Sequence, residues 1–331
     1  MRDNNIDLLR CLGLSFIILA HVAPPAIILN IRTFDVPLMI FISGLTCYDK
    51  KISYSWKYIY HRFTRLIFPV WIFLTIYFTP ILLLKLLGID LGLNFRHVYG
   101  SYLLLDGIGY VWIIRVFLLI ALITPLLSKV NNFIKSQYTF IAIFSICLSI
   151  YLLVTFKNIG TNIELVNNWI YYAIGYGFLW WLGVKIKDFT KTRLVVLILT
   201  LTSLFIIQGT IDLQQYEVIS PLILHINDFK YPPTNIFILY GLIMSTLVYT
   251  IVYIKKREHL NSFVHFVGCN SIWIYLWHIP FISITAKLEM MWLTRYIVVY
   301  LGALAIYYTQ LSFIKMIEKK KEYNIFKYLK G

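Results

Sequence analysis

Apolar runs near or above 18 residues recur from end to end of this chain of 331 residues. Each is long enough to cross about 30 Å of hydrocarbon as a helix. Backbone in lipid must satisfy its own polar groups, so a chain written this way folds as a bundle of membrane helices. Composition agrees: 60% of the residues are hydrophobic and 14% charged, which excludes an ordinary soluble fold. The spans fall at roughly 7–28, 34–48, 66–87, 103–127, 138–156, 168–184, 194–209, 234–254, 264–284 and 295–317, about ten in all. The predicted fold class is all-α, a polytopic integral membrane protein. It reads as a single membrane-embedded domain over 1–331 with a short basic tail at about 318–331. The first run is too long for a cleavable signal, and it ends in Pro24-Pro25 without a small-residue cleavage site.

The net charge of +15 would suit a nucleic-acid ligand if it formed one patch. It is instead spread through short loops between spans. One side carries Lys50, Lys51, Lys57, Arg62 and Arg65, then Lys129 and Lys135, Lys185, Lys187, Lys191 and Arg193, Lys255, Lys256 and Arg257, and the lysine-rich tail. The other side has Arg32, Arg96, Lys157, Lys230, Lys287 and Arg295. This asymmetry is a topology signal, placing both termini in the cytoplasm, and no nucleic-acid partner is expected. The cysteines Cys11, Cys47, Cys147 and Cys269 are isolated within apolar segments. None has ligand spacing, so neither a disulfide nor a metal is expected.

Ionisable residues inside the spans are the candidates for chemistry, because each is costly to place in a bilayer. Arg10 and His21 share the first span, eleven residues apart. At about 100° per residue that is roughly three turns, so both project from one face about 16 Å apart along the axis. Arg10 then lies in the inner part and His21 in the outer. The plain alternative is a cation snorkelling to the interface and a histidine bonded to a neighbouring helix. Asp35, at a depth similar to His21, is placed to orient its imidazole and raise its basicity. Ser43-Gly44 reads as a close-packing element rather than a nucleophile.

In the cytoplasmic loop after the second span, Arg62 and Arg65 are three apart, beside Lys57 and His61. On a helix the two guanidiniums would be neighbours, a clamp suited to phosphates, although an ordinary positive-inside loop looks the same. Span four carries Asp106, Trp112 and Arg115, the last in mid-span and in need of a partner or a wet cavity. Span nine carries Tyr275 and His278, the latter in the outer half, where it either lines a cavity with His21 or belongs to an interfacial belt. The largest outward loop, 209–233, holds Asp212, Glu217, Asp228 and the run Phe229-Lys230-Tyr231-Pro232-Pro233.

Taken together these segments resemble the acyltransferase-3 family of bacterial membrane proteins, along nearly the whole chain. The family's basic residue, ten residues and histidine in the first span match Arg10 and His21. Its Arg-x-x-Arg element matches Arg62 and Arg65. Its Phe-x-x-Ser-Gly element resembles Phe41-Ile-Ser43-Gly44 with one residue fewer. The tryptophan-bearing fourth span and the Tyr-Leu-x-His-x-Pro pattern resemble Trp112 and Tyr275-Leu-Trp-His278-Ile-Pro280.

The resemblance implies a membrane O-acyltransferase of the bacterial cytoplasmic (inner) membrane. It would move acetyl from cytoplasmic acetyl-CoA to a hydroxyl of a lipid-linked or surface glycan such as O-antigen, capsule or exopolysaccharide. Larger members carry a C-terminal esterase-like domain. This chain stops soon after its last span, so it resembles the stand-alone form, and the acyl group passes either directly to the acceptor or to a separate extracytoplasmic partner. His21, Arg10 and Asp35 are the expected catalytic residues. Arg62 and Arg65 are the expected acyl-CoA contacts, and Arg115, Trp112, Tyr275 and His278 are further candidates. His21 acts either as a general base or as an acyl carrier. The competing reading is a transporter or flippase for a lipid-linked glycan.

Overall fold

The computed structural model describes residues 3–48, 50–89, 92, 94–105, 107–215, 226–254, 259–318 and 329–330. Among them the regular structure is α-helical: α1 (Asn4–Ala20), α2 (Ala26–Ile31), α3 (Asp35–Leu45), α4 (Trp56–Leu86), α5 (Phe95–Tyr102), α6 (Trp112–Phe133), α7 (Gln137–Phe156), α8 (Tyr171–Lys185), α9 (Lys191–Gln215), α10 (Asn235–Ile254), α11 (Ser262–Cys269), α12 (Ser271–Thr285) and α13 (Trp292–Glu318). Seven stretches among the described residues are long and apolar enough to cross a membrane: 26–45, running through α2 and α3, and helices α4, α6, α7, α9, α10 and α13. Helices α11 and α12 meet the same test only as a pair, bent by 86° at their junction. Helices α1 and α8, with 17 and 15 residues, fall short of the roughly 20 that a straight crossing needs. The chain is thus an all-helical, multi-pass membrane protein.

Helix ends differ from the sequence expectation for identifiable reasons. The first span was expected to run to 28, but α1 stops at Ala20, with His21 as its C-cap. Pro24 and Pro25 lack the amide hydrogens a helix needs, and the chain turns at Ala23 with φ 53°. Helix α4 begins at Trp56 rather than near 66, because the Ser55 side chain caps it by accepting from the Tyr58 amide. Arg62 and Arg65 therefore stand on a helix and not in a loop. Helix α6 starts at Trp112, nine residues later than the span expected at 103–127. Gly109, at φ 79°, lies in the intervening irregular segment, and Asp106 lies outside the described residues.

Two glycines set the tightest crossing. A Cβ on Gly44 of α3 would lie 2.0 Å from the Trp180 carbonyl oxygen of α8, and one on Gly183 of α8 would lie 2.1 Å from that of Phe41. Small residues at both points let the two backbones touch, which replaces the hydrophobic drive that lipid does not supply. Around this crossing the fully buried Trp180, Tyr176, Phe41 and Phe237 pack together. Burial separates inner from outer helices: the most apolar window of α10 is 56% buried, against 17% for α9. The outward faces of α7, α9 and α13 expose Ile146, Leu199, Ile206 and Leu301, a surface suited to lipid tails.

Breaks in the helices are repaired by side chains. Pro125 removes the hydrogen bond its amide would give to Ala121, and the Tyr58 hydroxyl of α4 donates to that carbonyl instead, at 2.9 Å. At the sharp bend, the Asn270 side-chain amide donates to the Phe266 carbonyl at 2.6 Å, and its oxygen accepts from Tyr307 at 2.7 Å. An asparagine that competes in this way for backbone partners ends α11 and lets α12 leave in a new direction.

Candidate active site

Arg10 of α1 and Arg62 and Arg65 of α4 face one cavity of about 680 Å³. That volume is of the size that holds small-molecule ligands. His61 and Thr64 add polar groups beside the arginines, and Gly268, Cys269 and Ser271 come from the α11–α12 bend. Leu14 and Ile17, one and two turns beyond Arg10, continue the wall with apolar surface, joined by Ile113 and Phe117 of α6. Polar groups gather where α1 begins, and apolar groups line the way toward its other end. Tyr275 of α12 also lines the cavity.

Each arginine is held by neighbours. Arg10 lies 3.5 Å from the Asp7 carboxylate, which is buried. The three-residue spacing of Asp7 and Arg10 on a helix was the available sign of this pair. The Arg62 guanidinium lies over the Tyr58 ring, 5.3 Å from its centroid.

His21 stands one turn beyond Ile17, behind the cavity wall. His278 Nε2 is 3.3 Å from His21 Nδ1, with ring centroids 5.2 Å apart. His278 is fully buried, and its Nδ1 bonds the Tyr275 carbonyl. The Tyr275 hydroxyl donates to the Tyr110 carbonyl, and the Tyr110 ring packs edge-on against His21 at 4.9 Å. These bonds specify the tautomers. A carbonyl only accepts, so His278 Nδ1 carries the proton and its Nε2 has a lone pair. His21 Nδ1–H then donates to that lone pair, leaving His21 Nε2 as the atom able to accept a proton or attack a carbonyl.

The expected support of His21 by Asp35 is not what the structure contains. Asp35 accepts from Arg32 at 2.6 Å and from the Val36 amide at 2.7 Å. Arg32 lies one turn before it, and both are buried, so the carboxylate is consumed by its local cation. His278 occupies the supporting position instead.

Near that ion pair is a group of residues drawn from several segments of the chain. Lys230, expected in the largest outward loop, is only 5% exposed. Its ammonium sits over the rings of Trp112 at 5.2 Å and Tyr231 at 5.5 Å. Burial pushes this ammonium below its usual value, with Asp35 opposing the shift and Arg32 adding to it. Trp112 also packs edge-on with Tyr172, whose ring, with that of Trp169, faces the Arg115 guanidinium at 5.4 and 5.5 Å. Nothing in the local sequence marks Lys230 as buried, because one of its two ring partners, Trp112, comes from α6. Of the outward loop, Glu217 lies outside the described residues.

Asp7, His265 and Cys269 bring their ligating atoms within 4.8 Å of one another, although no two of the four cysteines are spaced as ligands in sequence. His265 Nδ1 is 3.1 Å from Asp7, which Arg10 also approaches. The Asp7 carboxylate is thus shared between the Arg10 guanidinium and the His265 ring, a polar network around Arg10.

The acyltransferase-3 family model, described as an acyltransferase domain, matches residues 3–309. No curated protein and no solved structure matches the chain. A match over nearly the full length, on an all-helical bundle with seven membrane-crossing stretches among the described residues, makes this chain a membrane acyltransferase belonging to the acyltransferase-3 family.

Proposed function

We propose that the protein is an O-acetyltransferase that moves acetyl from cytoplasmic acetyl-CoA to a hydroxyl of a lipid-linked or cell-surface glycan. One observation carries this reading: a single cavity begins among Arg10, Arg62 and Arg65 and ends at Tyr275 and Ile17, beyond which stand His278 and His21. Arginine forks suit the phosphates of the donor. Its pantetheine arm would run along the apolar wall toward His21.

In the proposed step, His21 Nε2 takes the proton of the acceptor hydroxyl as its oxygen attacks the thioester carbonyl. The C–O bond forms, the C–S bond breaks, and coenzyme A leaves as a thiolate that recovers the proton from His21. His278 supports the transient imidazolium by accepting from its Nδ1–H, with the Tyr275 carbonyl holding His278 in turn. In this reading α1 and α8 cross the membrane with the other spans, giving about ten crossings with both termini in the cytoplasm of a bacterial inner membrane. The chain is then one membrane domain with a basic tail, surrounded by membrane lipids. A separate extracytoplasmic partner that accepts the acyl group is compatible with it. The bend between α11 and α12 is the feature that favours the rival transport reading, which needs no acyl-CoA.

Mass spectrometry of surface glycans from cells lacking the gene, and from cells with it restored, tests this reading. An acetyl-sized mass lost on deletion and regained on restoration is expected. Unchanged glycan mass with reduced surface level would favour transport.

A further inference from the structure

A second concentration of buried charge lies away from the arginine-lined cavity, at the His21 end of α1. Arg32 and Lys230 are 3% and 5% exposed, and the Nε atom of Arg115 is buried as well. Among the described residues, the one carboxylate paired with any of these three cations is Asp35, on Arg32. Two positive charges are thus left over. The Nε donors of Arg32 and Arg115 and the hydroxyl of Tyr176 are buried with no hydrogen-bond partner among the described residues. Native proteins seldom leave such groups unpaired without a use for them. The rings of Trp112, Tyr231, Tyr172 and Trp169 hold the cations by their faces, which stabilises a charge without neutralising it.

We propose that this cluster is a binding site for an anionic glycan: Lys230, Arg32 and Arg115 take a carboxylate or phosphate, and Trp112 and Tyr231 take the adjoining sugar ring. Guanidinium forks match both oxyanions. The aromatic faces offer flat apolar surface to the C–H side of a pyranose. Tyr231, at the edge of the cluster, is 53% exposed. Phe34, two residues after Arg32, packs edge-on against Phe16 of α1 with ring centroids 5.3 Å apart, which sets this cluster beside the His21 half of α1. The inference rests on the acyl-transfer reading for its consequence: a glycan anchored here by its charge presents a neighbouring hydroxyl to His21. The shared chemistry is an oxyanion beside a sugar ring, supplied either by an acidic sugar or by the diphosphate of a lipid carrier.

Calorimetric titration of the full chain in lipid nanodiscs tests it. The probes are an oligogalacturonate, a neutral oligogalactose of equal length, and a disaccharide on a short prenyl diphosphate. At least tenfold tighter binding of one charged probe than of the neutral one is expected, weakening as salt is raised. Preference for the oligogalacturonate assigns the anion to the sugar, and preference for the diphosphate assigns it to the carrier. Lys230→Gln should remove the preference and Lys230→Arg should keep it, with coenzyme A binding in both variants reporting an intact fold. Should Lys230→Gln not fold, the charge preference of the wild type and of Lys230→Arg, with its salt dependence, decides. Equal affinity for charged and neutral probes, or a preference that survives Lys230→Gln, would overturn the proposal. Charge-selective binding without any acyl transfer would uphold this site and count against the acyltransferase reading alone.

Discussion

His278 Nε2 lies 3.3 Å from His21 Nδ1, joining residues 257 positions apart in the chain. Because His278 Nδ1 is committed to the Tyr275 carbonyl, the bond assigns the His21 proton to Nδ1 and the lone pair to Nε2. His278 is therefore a positioning residue for the proposed base.

Replacing His278 by alanine should lower kcat roughly 10²-fold or more, the usual worth of a well-placed acid–base system. KM for acetyl-CoA should stay within about twofold, since His278 is not among the cavity-lining residues. Steady-state rates over a donor series check this. A large rise in KM with unchanged kcat would place His278 in donor binding instead.

Arg62 and Arg65 stand on one face of α4 and line the cavity together. Charge-assisted hydrogen bonds contribute about 1.5–3 kcal/mol each, so the double change to glutamine should raise the donor dissociation constant at least tenfold. Titration with coenzyme A measures it. The salt dependence of binding should flatten in the variant, because the phosphates lose their counter-charges.

At the α3–α8 crossing, Gly44→Ala puts a methyl group 2.0 Å from a backbone oxygen. Neither helix can yield without repacking, and overpacking of this kind costs about 1–3 kcal/mol. A lower midpoint of thermal unfolding in detergent is expected. Gly88→Ala, where no atom lies within 4 Å of the added carbon, is the comparison for space, although its φ of 87° adds local strain.

The buried pair Arg32–Asp35 should behave as a unit. Asp35→Asn leaves a buried guanidinium without its counter-charge, and breaking such a pair costs about 3–5 kcal/mol. Replacing Arg32 by methionine in the same chain should recover much of that loss of folded protein. Additive damage in a double-mutant cycle would contradict the pairing.

Much of the architecture was legible in sequence because lipid imposes a strong length and polarity rule on every span. Arg10, Arg62, Arg65 and Tyr275 were singled out from sequence, and the fold brings them to one cavity. The misplaced features have local causes. Pro24 and Pro25 shortened α1, and Ser55 lengthened α4 by capping it. Asp35 was assigned to His21 by depth alone, whereas its partner, Arg32, was three residues away. The burial of Lys230 was not legible because it depends on Trp112, far off in the chain. The meeting of Asp7 with His265 and Cys269 is equally non-local, and the bend at Asn270 depends on Tyr307 of another helix.

The most direct test is coenzyme A release by purified protein in nanodiscs, with acetyl-CoA and the host's surface glycan, for the wild type and His21→Ala. Release matched one-for-one by acetyl gained on the glycan is expected, falling to background in His21→Ala while coenzyme A still binds. A His21→Ala protein that turns over at the wild-type rate would contradict it.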